Sequence, residues 1–598
     1  MASDDAGVEY KSSSEMPVIN LRVNGNVSMR WILSKGANFN HTKQGRSDLL
    51  RVAETNDSTG RKPSPQRETP EERSYPYAYG QDRIEWRKAV NLDEAAKLSH
   101  SDWQQRAKAL KKSAETRLFI GGEFVDAVEG GTFDNICPVD GSVMNTCAAA
   151  TAADIDKAVA IAKASFKSGE WSRMAPRERM AVMYKWADLI GENGAELALM
   201  DTIDMGKPIS DMVGVDIPMC IETIQYFAEC IDKVTGSVTT TEYDVMSTVL
   251  REPIGVVGCI SPWNYPLLMA LWKICPSLAA GNSTILKPAE QSPLSCYRVA
   301  QLFVEAGGPA GALQVVNGMG EHAGQPLARH MDVSKISFTG STEVGKLMHV
   351  YSGESNMKKV SLECGGKGPQ IFCEDLEGEL LDRAVETAVN GIFFNMGQVC
   401  SAGSRLIVHS KIHDAFVEKF IEKGKDAYTC GDPLDPAVNL GPLVDHGSQA
   451  RVLGMVETAK TEGGKVEFGG TAAAGELQKG AYVVPTMITG VGDNDSIAQF
   501  EAFGPVVAVI KVDSDDEAIE IANNSIYGLQ GSVWTDNYRR AMRYVREIEC
   551  GTFLVNSFEE GDMTQPFGGY KQSGNAKDKC FDSLLSYTNS KAVWFRLN

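Results

Sequence analysis

The stretch that decides the fold runs from residue 256 to residue 293 and reads VVGCISPWNYPLLMALWKICPSLAAGNSTILKPAEQSP. Val256 to Ile260 is an unbroken apolar run of strand length, and a second short run, STILK, follows at Ser283. Between them Pro266 to Ala280 is apolar over a helical length, with a proline where a first helical turn accepts one. Strand, helix and strand at this spacing form a parallel crossover unit. The alternation continues outward through LQVV at Leu313 and KISF at Lys335, with helical stretches between and after them. An open sheet of parallel strands covered on both faces binds ligands beyond the carboxyl ends of its strands. A nucleotide site is therefore expected after Ile260, Lys287, Val316 and Phe338.

From Ser361 a second series of strands and helices appears, PQIFC, RLIV, VVAVIKV, GSVW and TFLVN, and the chain closes on SKAVWFRLN. The fold class is α/β, with two doubly wound sheet domains. Residues 1–80 are rich in Ser, Asn, Asp and Arg and end in a cluster of prolines and charges, so a disordered extension is expected there. Between Arg83 and Glu115 apolar residues recur on one helical face. RLFIGGEFVDA then reads as a hairpin turning at Gly121-Gly122.

Composition narrows the function. The 598 residues are 43% hydrophobic, and 59 Lys and Arg against 78 Asp and Glu leave a formal net charge of −19. Polyanions such as nucleic acid or a membrane surface would repel such a chain. The apolar run from Val256 to Leu286 is interrupted by Pro262, Asn264, Pro266, Lys273, Pro276 and Asn282, which argues against a membrane span. Thirteen cysteines, an odd number without a C-x-x-C pair, fit neither a disulfide framework nor a metal site. They favour a reducing compartment, and a cytoplasmic protein is expected. Met16 to Ser47 lacks acids and carries Arg22, Arg30, Lys35, Lys43 and Arg46, a composition resembling a mitochondrial transit segment if translation began later.

No GxGxxG fingerprint is present. The segment from Gly340 to Lys346 matches most of a P-loop, but Leu347 stands where a hydroxyl must hold magnesium, which argues against an NTPase. What remains is Gly340-Ser341 opening a helix whose N–H groups face a phosphate.

Seven blocks taken together are far more specific: SPWNYPLLMALWK at Ser261, KPAEQSP at Lys287, FTGSTEVGK at Phe338, LECGGK at Leu362, FFNMGQVCSAGSR at Phe393, EAFGPV at Glu501 and PFGGYKQSG at Pro566. In this order and spacing they resemble the aldehyde dehydrogenase superfamily, from about residue 102 to the C-terminus. SDWQQRA, LFIGGEF, DIDKA, GKPI and GDMTQPFGGYKQSGNAKDK look like its γ-glutamyl-γ-aminobutyraldehyde dehydrogenases of putrescine breakdown. The resemblance implies an NAD-binding domain over residues 102–234 and 252–365 and a catalytic domain over 366–579. It also implies an oligomerisation element over 235–251 and 580–598, and a homodimer or homotetramer.

The chemistry follows from residue types. A bare aldehyde must first become tetrahedral before a hydride can leave, and a thiolate is the suitable nucleophile. Cys400, in the turn Gly-Gln-Val-Cys-Ser, matches the family nucleophile. Asn264 matches the side-chain amide that, with the cysteine N–H, stabilises the oxyanion. The thioester left behind needs a base to deprotonate water, and Glu363 matches that position; burial would raise its pKa toward a useful range. Retention of this carboxylate implies hydrolysis to a free acid rather than transfer to coenzyme A. Beside it, Cys364 replaces a commoner Leu or Ala and could place a second thiol near the site.

For the cofactor, Lys287 and Glu290 match groups on the adenosine ribose. A carboxylate there disfavours a 2′-phosphate, so NAD is expected over NADP. Trp263, Gly340 and Ser341 match pocket and pyrophosphate positions, and Glu501 and Phe503 match contacts to the nicotinamide ribose and ring. No metal is expected. For the substrate, Glu559, Glu560 and Asp562 make an acidic loop before Phe567 that would favour an ammonium group, with Asp216 as a further acid. Tyr265, Trp272 and Phe567 are candidate tunnel walls. The alternatives are a betaine aldehyde or broad-specificity enzyme and, in another class, a non-catalytic structural relative such as the lens crystallins; Cys400 and Glu363 together argue against the last.

Overall fold

The computed structural model describes residues 18–23, 27–32, 92–558 and 561–597, in two compact units divided after Ala78. In the first unit Val18–Val23 pairs antiparallel with Val27–Ile32, from Val18 opposite Ile32 to Val23 opposite Val27. The rest of the extension expected over residues 1–80 lies outside the described residues. Asn24-Gly25 between two runs rich in β-branched and aromatic residues is a hairpin signal that the polar composition had hidden.

In the second unit the helical pattern after Arg83 appears as two helices, Leu92–Ala95 and His100–Ser113. The break falls at Ser99, which caps the second helix in a reciprocal box with Asp102. Trp103, Ala107 and Leu110 form its buried face.

Two seven-stranded sheets dominate. The first runs in the order Lys359–Glu363, Lys335–Thr339, Val256–Ile260, Ser283–Lys287, Leu313–Val315, Leu118–Ile120 and Glu123–Val125. Its first five strands are parallel and the last two are an antiparallel edge. Val256–Ile260, Ser283–Lys287 and Lys335–Thr339 are buried at every residue, which is why they read as continuous runs and not as alternations. From the central strand Val256–Ile260 the chain steps to Ser283–Lys287 on one side and later to Lys335–Thr339 on the other. The crevice between Val256–Ile260 and Lys335–Thr339 is thus a topological switch point, where open α/β sheets bind ligands. The helix Pro266–Ala279 is buried along its whole length, including Lys273.

The second sheet runs Lys465–Phe468, Thr486–Thr489, Val506–Val512, Arg405–His409, Pro369–Phe372, Gln530–Trp534 and Thr552–Val555, parallel apart from the first pair. Apolar clusters lie on both faces of each sheet. A third sheet joins Thr588–Arg596, Val245–Pro253 and Ser237–Thr239, all antiparallel, and leaves Val238, Leu250, Trp594 and Phe595 exposed. No helix among the described residues is long and apolar enough to cross a membrane.

Candidate active site

The loop before Cys400 is built under strain. Asn395, Met396 and Gly397 take φ of 50°, 57° and 67°, and a left-handed Met costs on the order of 1–3 kcal/mol. Only glycine fits at 397, since a Cβ there would stand 2.2 Å from the Gly504 carbonyl oxygen. The loop is tied down from two sides. Asn264 Nδ2 donates to the Gln398 carbonyl at 2.8 Å, and Asn395 Nδ2 donates to the Asn264 carbonyl at 3.0 Å. Asn264 is therefore fixed to the turn that presents Cys400, which is half-buried, whereas most of the other cysteines are buried.

Glu363 ends the strand Lys359–Glu363, and the loop after it runs to the same place. A Cβ on Gly366 would meet the Cys400 carbonyl oxygen at 2.3 Å, so this glycine permits the close approach of the two loops. Glu363 is 3% exposed, and its carboxylate has no close hydrogen-bond partner among the described residues, the Gly569 N–H offering only weak support. Burial, reinforced by the charge of Asp578, holds its pKa well above the usual carboxylate range despite Lys273 and Lys577. Lys273 and Asp578 are a buried ion pair at 3.0 Å. Reading by motif passed over both. The available signal was a lysine inside an otherwise apolar helix, which must find a buried partner.

Cys364 does not join the site. Its Sγ packs toward Gly345 and belongs to the apolar cluster beside the first sheet, and burial pushes its thiol up to about 12. The side chain after Glu363 points to the opposite face of the strand, as a period of two requires.

The switch-point crevice suits a dinucleotide. Ser261 Oγ and Thr339 Oγ1, just past or at the ends of its two bordering strands, are buried without partners among the described residues. Gly340 and Ser341 open the helix Thr342–Gly353, where the Ser341 hydroxyl accepts from the Val344 N–H and both residues reach the surface. That leaves the N–H groups of the first turn for an anion. Lys287 Nζ donates to the Pro288 carbonyl at 2.9 Å and to Glu290 at 3.2 Å. On the second sheet's side, Glu501 accepts from the Gly366 N–H at 3.0 Å, and burial pushes its carboxyl up to about 7. Phe503, at φ 53°, meets the Trp263 ring edge-on at 5.3 Å. Trp263, Glu501 and Phe503 thus gather beside the Glu363–Cys400 loops.

The expected substrate residues fare differently. Tyr265 and Phe567 are half-buried in one apolar cluster, and Phe567 meets Trp272 at 5.4 Å. Asp216 is a correction: it is buried and paired with Lys207 at 2.7 Å, and Lys207 in turn lies under the Tyr265 ring. Burial and the Lys207 pair set it apart from an open acid at an entrance, while its second oxygen, Oδ2, has no hydrogen-bond partner among the described residues. Asp562 is exposed at the rim and accepts from the Thr564 N–H and hydroxyl. Lys579 stands close enough to influence it, so the described rim is of mixed charge and not purely acidic. Glu559 and Glu560 lie outside the described residues.

Comparison with known proteins gives the family. The model of the aldehyde dehydrogenase family matches residues 124–593. The NADP/NAD-dependent aldehyde dehydrogenase PuuC of Escherichia coli is 43% identical over 83% of this chain and 98% of its own length. An aminoacetaldehyde dehydrogenase of Pseudomonas aeruginosa is 44% identical over 80% of this chain and 95% of its own. Among solved structures, a γ-glutamyl-γ-aminobutyraldehyde dehydrogenase from Burkholderia cenocepacia superposes with a TM-score of 0.81 at 47% identity, covering 84% of this chain and all of that one. An indole-3-acetaldehyde dehydrogenase in complex with NAD+ does so at 0.82 and 47%, with the same coverage. The chain belongs to the aldehyde dehydrogenase family, oxidoreductases that act on aldehydes with NAD(P).

Proposed function

We propose that the chain oxidises an aminoaldehyde of polyamine breakdown, such as γ-glutamyl-γ-aminobutyraldehyde, to the carboxylic acid, with NAD preferred over NADP. The Cys400 thiolate adds to the aldehyde carbon to give a thiohemiacetal, and the Asn264 amide with the Cys400 N–H stabilises its oxyanion. NAD, held by Trp263, Lys287, Glu290, Gly340, Ser341, Glu501 and Phe503, would supply the hydride acceptor. Glu363 then takes a proton from water, whose oxygen attacks the thioester, and the Cys400 thiolate leaves as the acid forms. The observation that carries this reading is the Glu363 carboxylate: buried, without a close hydrogen-bond partner among the described residues, and joined through Gly366 to the Cys400 loop.

The substrate class rests on the PuuC and aminoacetaldehyde dehydrogenase relatives and on the acid at the rim. A broader specificity is the second reading, favoured by relatives of similar identity that include a benzaldehyde dehydrogenase of Antirrhinum majus. The exposed apolar residues of the three-stranded sheet support a homodimer or homotetramer. The cysteine content and the bacterial relatives support a cytoplasmic location. The test is NADH formation from γ-glutamyl-γ-aminobutyraldehyde, 3-aminopropanal, betaine aldehyde and hexanal at equal concentration. A preference for hexanal removes the polyamine assignment.

A further inference from the structure

One wall runs outward from the catalytic carboxylate. A Cβ on Gly568 would stand 2.4 Å from Glu363 Oε1, so this residue touches the base itself. Phe567, next to it, meets the Trp272 ring at 5.4 Å, and the Lys579 ammonium lies 5.6 Å from the centroid of that ring. Lys579 is 8% exposed and its backbone sits at φ 61°. A lysine normally carries its charge out to water. Here the ammonium is kept over the indole, and burial lowers its pKa against the fields of Asp562 and Glu222. Among the described residues its ammonium meets these fields and the Trp272 ring rather than a hydrogen-bond acceptor. Trp272 is 6% exposed, and its indole N–H likewise has no acceptor among the described residues.

The Trp272 N–H, an enclosed donor without an acceptor among the described residues, and the largely buried Lys579 cation held over the same ring are costly together unless a ligand completes them. Both are donors only, and one is a cation, so the missing group is an anion or a strong acceptor. We propose that Lys579 and Trp272 recognise a carboxylate on the tail of the aldehyde. This rests on the aldehyde dehydrogenase reading above and sharpens its substrate class. A tail that is an α-amino acid presents its carboxylate to Lys579 and its ammonium to the acids Asp562 and Glu222. A bare ammonium tail meets the charge of Lys579 instead. Specificity thus lies in a pair of opposite charges rather than in an acidic funnel.

The test uses two substrates that differ by one group: γ-glutamyl-γ-aminobutyraldehyde, and 4-(4-aminobutanamido)butanal, which lacks only the carboxylate. The full-length enzyme should prefer the first by about ten-fold or more in kcat/KM, mainly through KM. Lys579→Gln should bring the ratio close to one, and Lys579→Arg, with thermal unfolding as a check on folding, should keep most of it. An equal loss on both substrates in Lys579→Gln, or a wild-type ratio near one, overturns the proposal while leaving the dehydrogenase reading in place. Failure of the wild type to oxidise either of these or hexanal overturns both.

Discussion

Lys273 Nζ and Asp578 Oδ2 meet at 3.0 Å, both almost wholly buried, although 305 residues separate them in sequence. The pair joins the helix after Asn264 to the segment after Gly574, and both charges act on Glu363 from opposite directions. Its main role is electrostatic. Removing either partner leaves the other charge buried and alone.

Lys273→Met should therefore destabilise the protein by about 3–5 kcal/mol, the usual cost of breaking a buried pair, and raise the pKa of Glu363 further. The expected sign is fixed: losing a neighbouring cation favours the neutral carboxyl, so acyl release moves to higher pH. Asp578→Asn should move it to lower pH. Thermal unfolding and the pH profile of kcat check both, and shifts in the same direction would contradict the electrostatic role.

The raised pKa of Glu363 also links stability to pH. Because the folded state holds this proton more tightly than the unfolded chain, its stabilising contribution is complete below the ordinary carboxylate range, near pH 4.3, and is lost as pH rises toward the raised value. Glu363→Gln, which cannot ionise, should match the wild type in stability at acidic pH and exceed it at alkaline pH. Unfolding midpoints for the two proteins across pH 4 to 9 measure this. A constant gap would mean that the carboxylate is not held neutral.

Glu290 neutralises Lys287 at 3.2 Å. Glu290→Ser should both remove a repulsive carboxylate and release a lysine for a 2′-phosphate, raising the NADP to NAD ratio of kcat/KM by about ten-fold, or 1–2 kcal/mol. An unchanged ratio would place Glu290 away from the ribose.

Association through the three-stranded sheet is tested at Trp594 and Phe595, 58% and 44% exposed on the last strand. Trp594→Asp with Phe595→Asp should lower the mass seen by light scattering to that of one chain. Retention of the oligomer would assign it to another surface.

The sequence made the first sheet legible because its strands are buried on both faces and so appear as continuous apolar runs, as Val256–Ile260 shows. The blocks holding Cys400, Glu363 and Asn264 stood out by their spacing, and the fold brings their loops together. What escaped reading depends on pairing across the chain. Asp216 looked available, but nothing local says that Lys207 takes its charge. Cys364 looked adjacent to the base, yet strand alternation sends it into the core. Lys579 drew no reading from the sequence, and only the fold lays it over Trp272. Of the acidic loop only Asp562 lies within the described residues, and the cation that acts on it, Lys579, comes from another segment.

The central claim is that Cys400 carries the acyl group and Glu363 releases it. It is tested most directly by mixing Glu363→Gln with NAD and aldehyde, following NADH in the stopped flow and weighing the intact protein. The account predicts a burst of about one NADH per active site, then slow turnover, with the acyl mass on the peptide containing Cys400 and no adduct in Cys400→Ala. Wild-type turnover without a burst, or an acyl group on another cysteine, would contradict it.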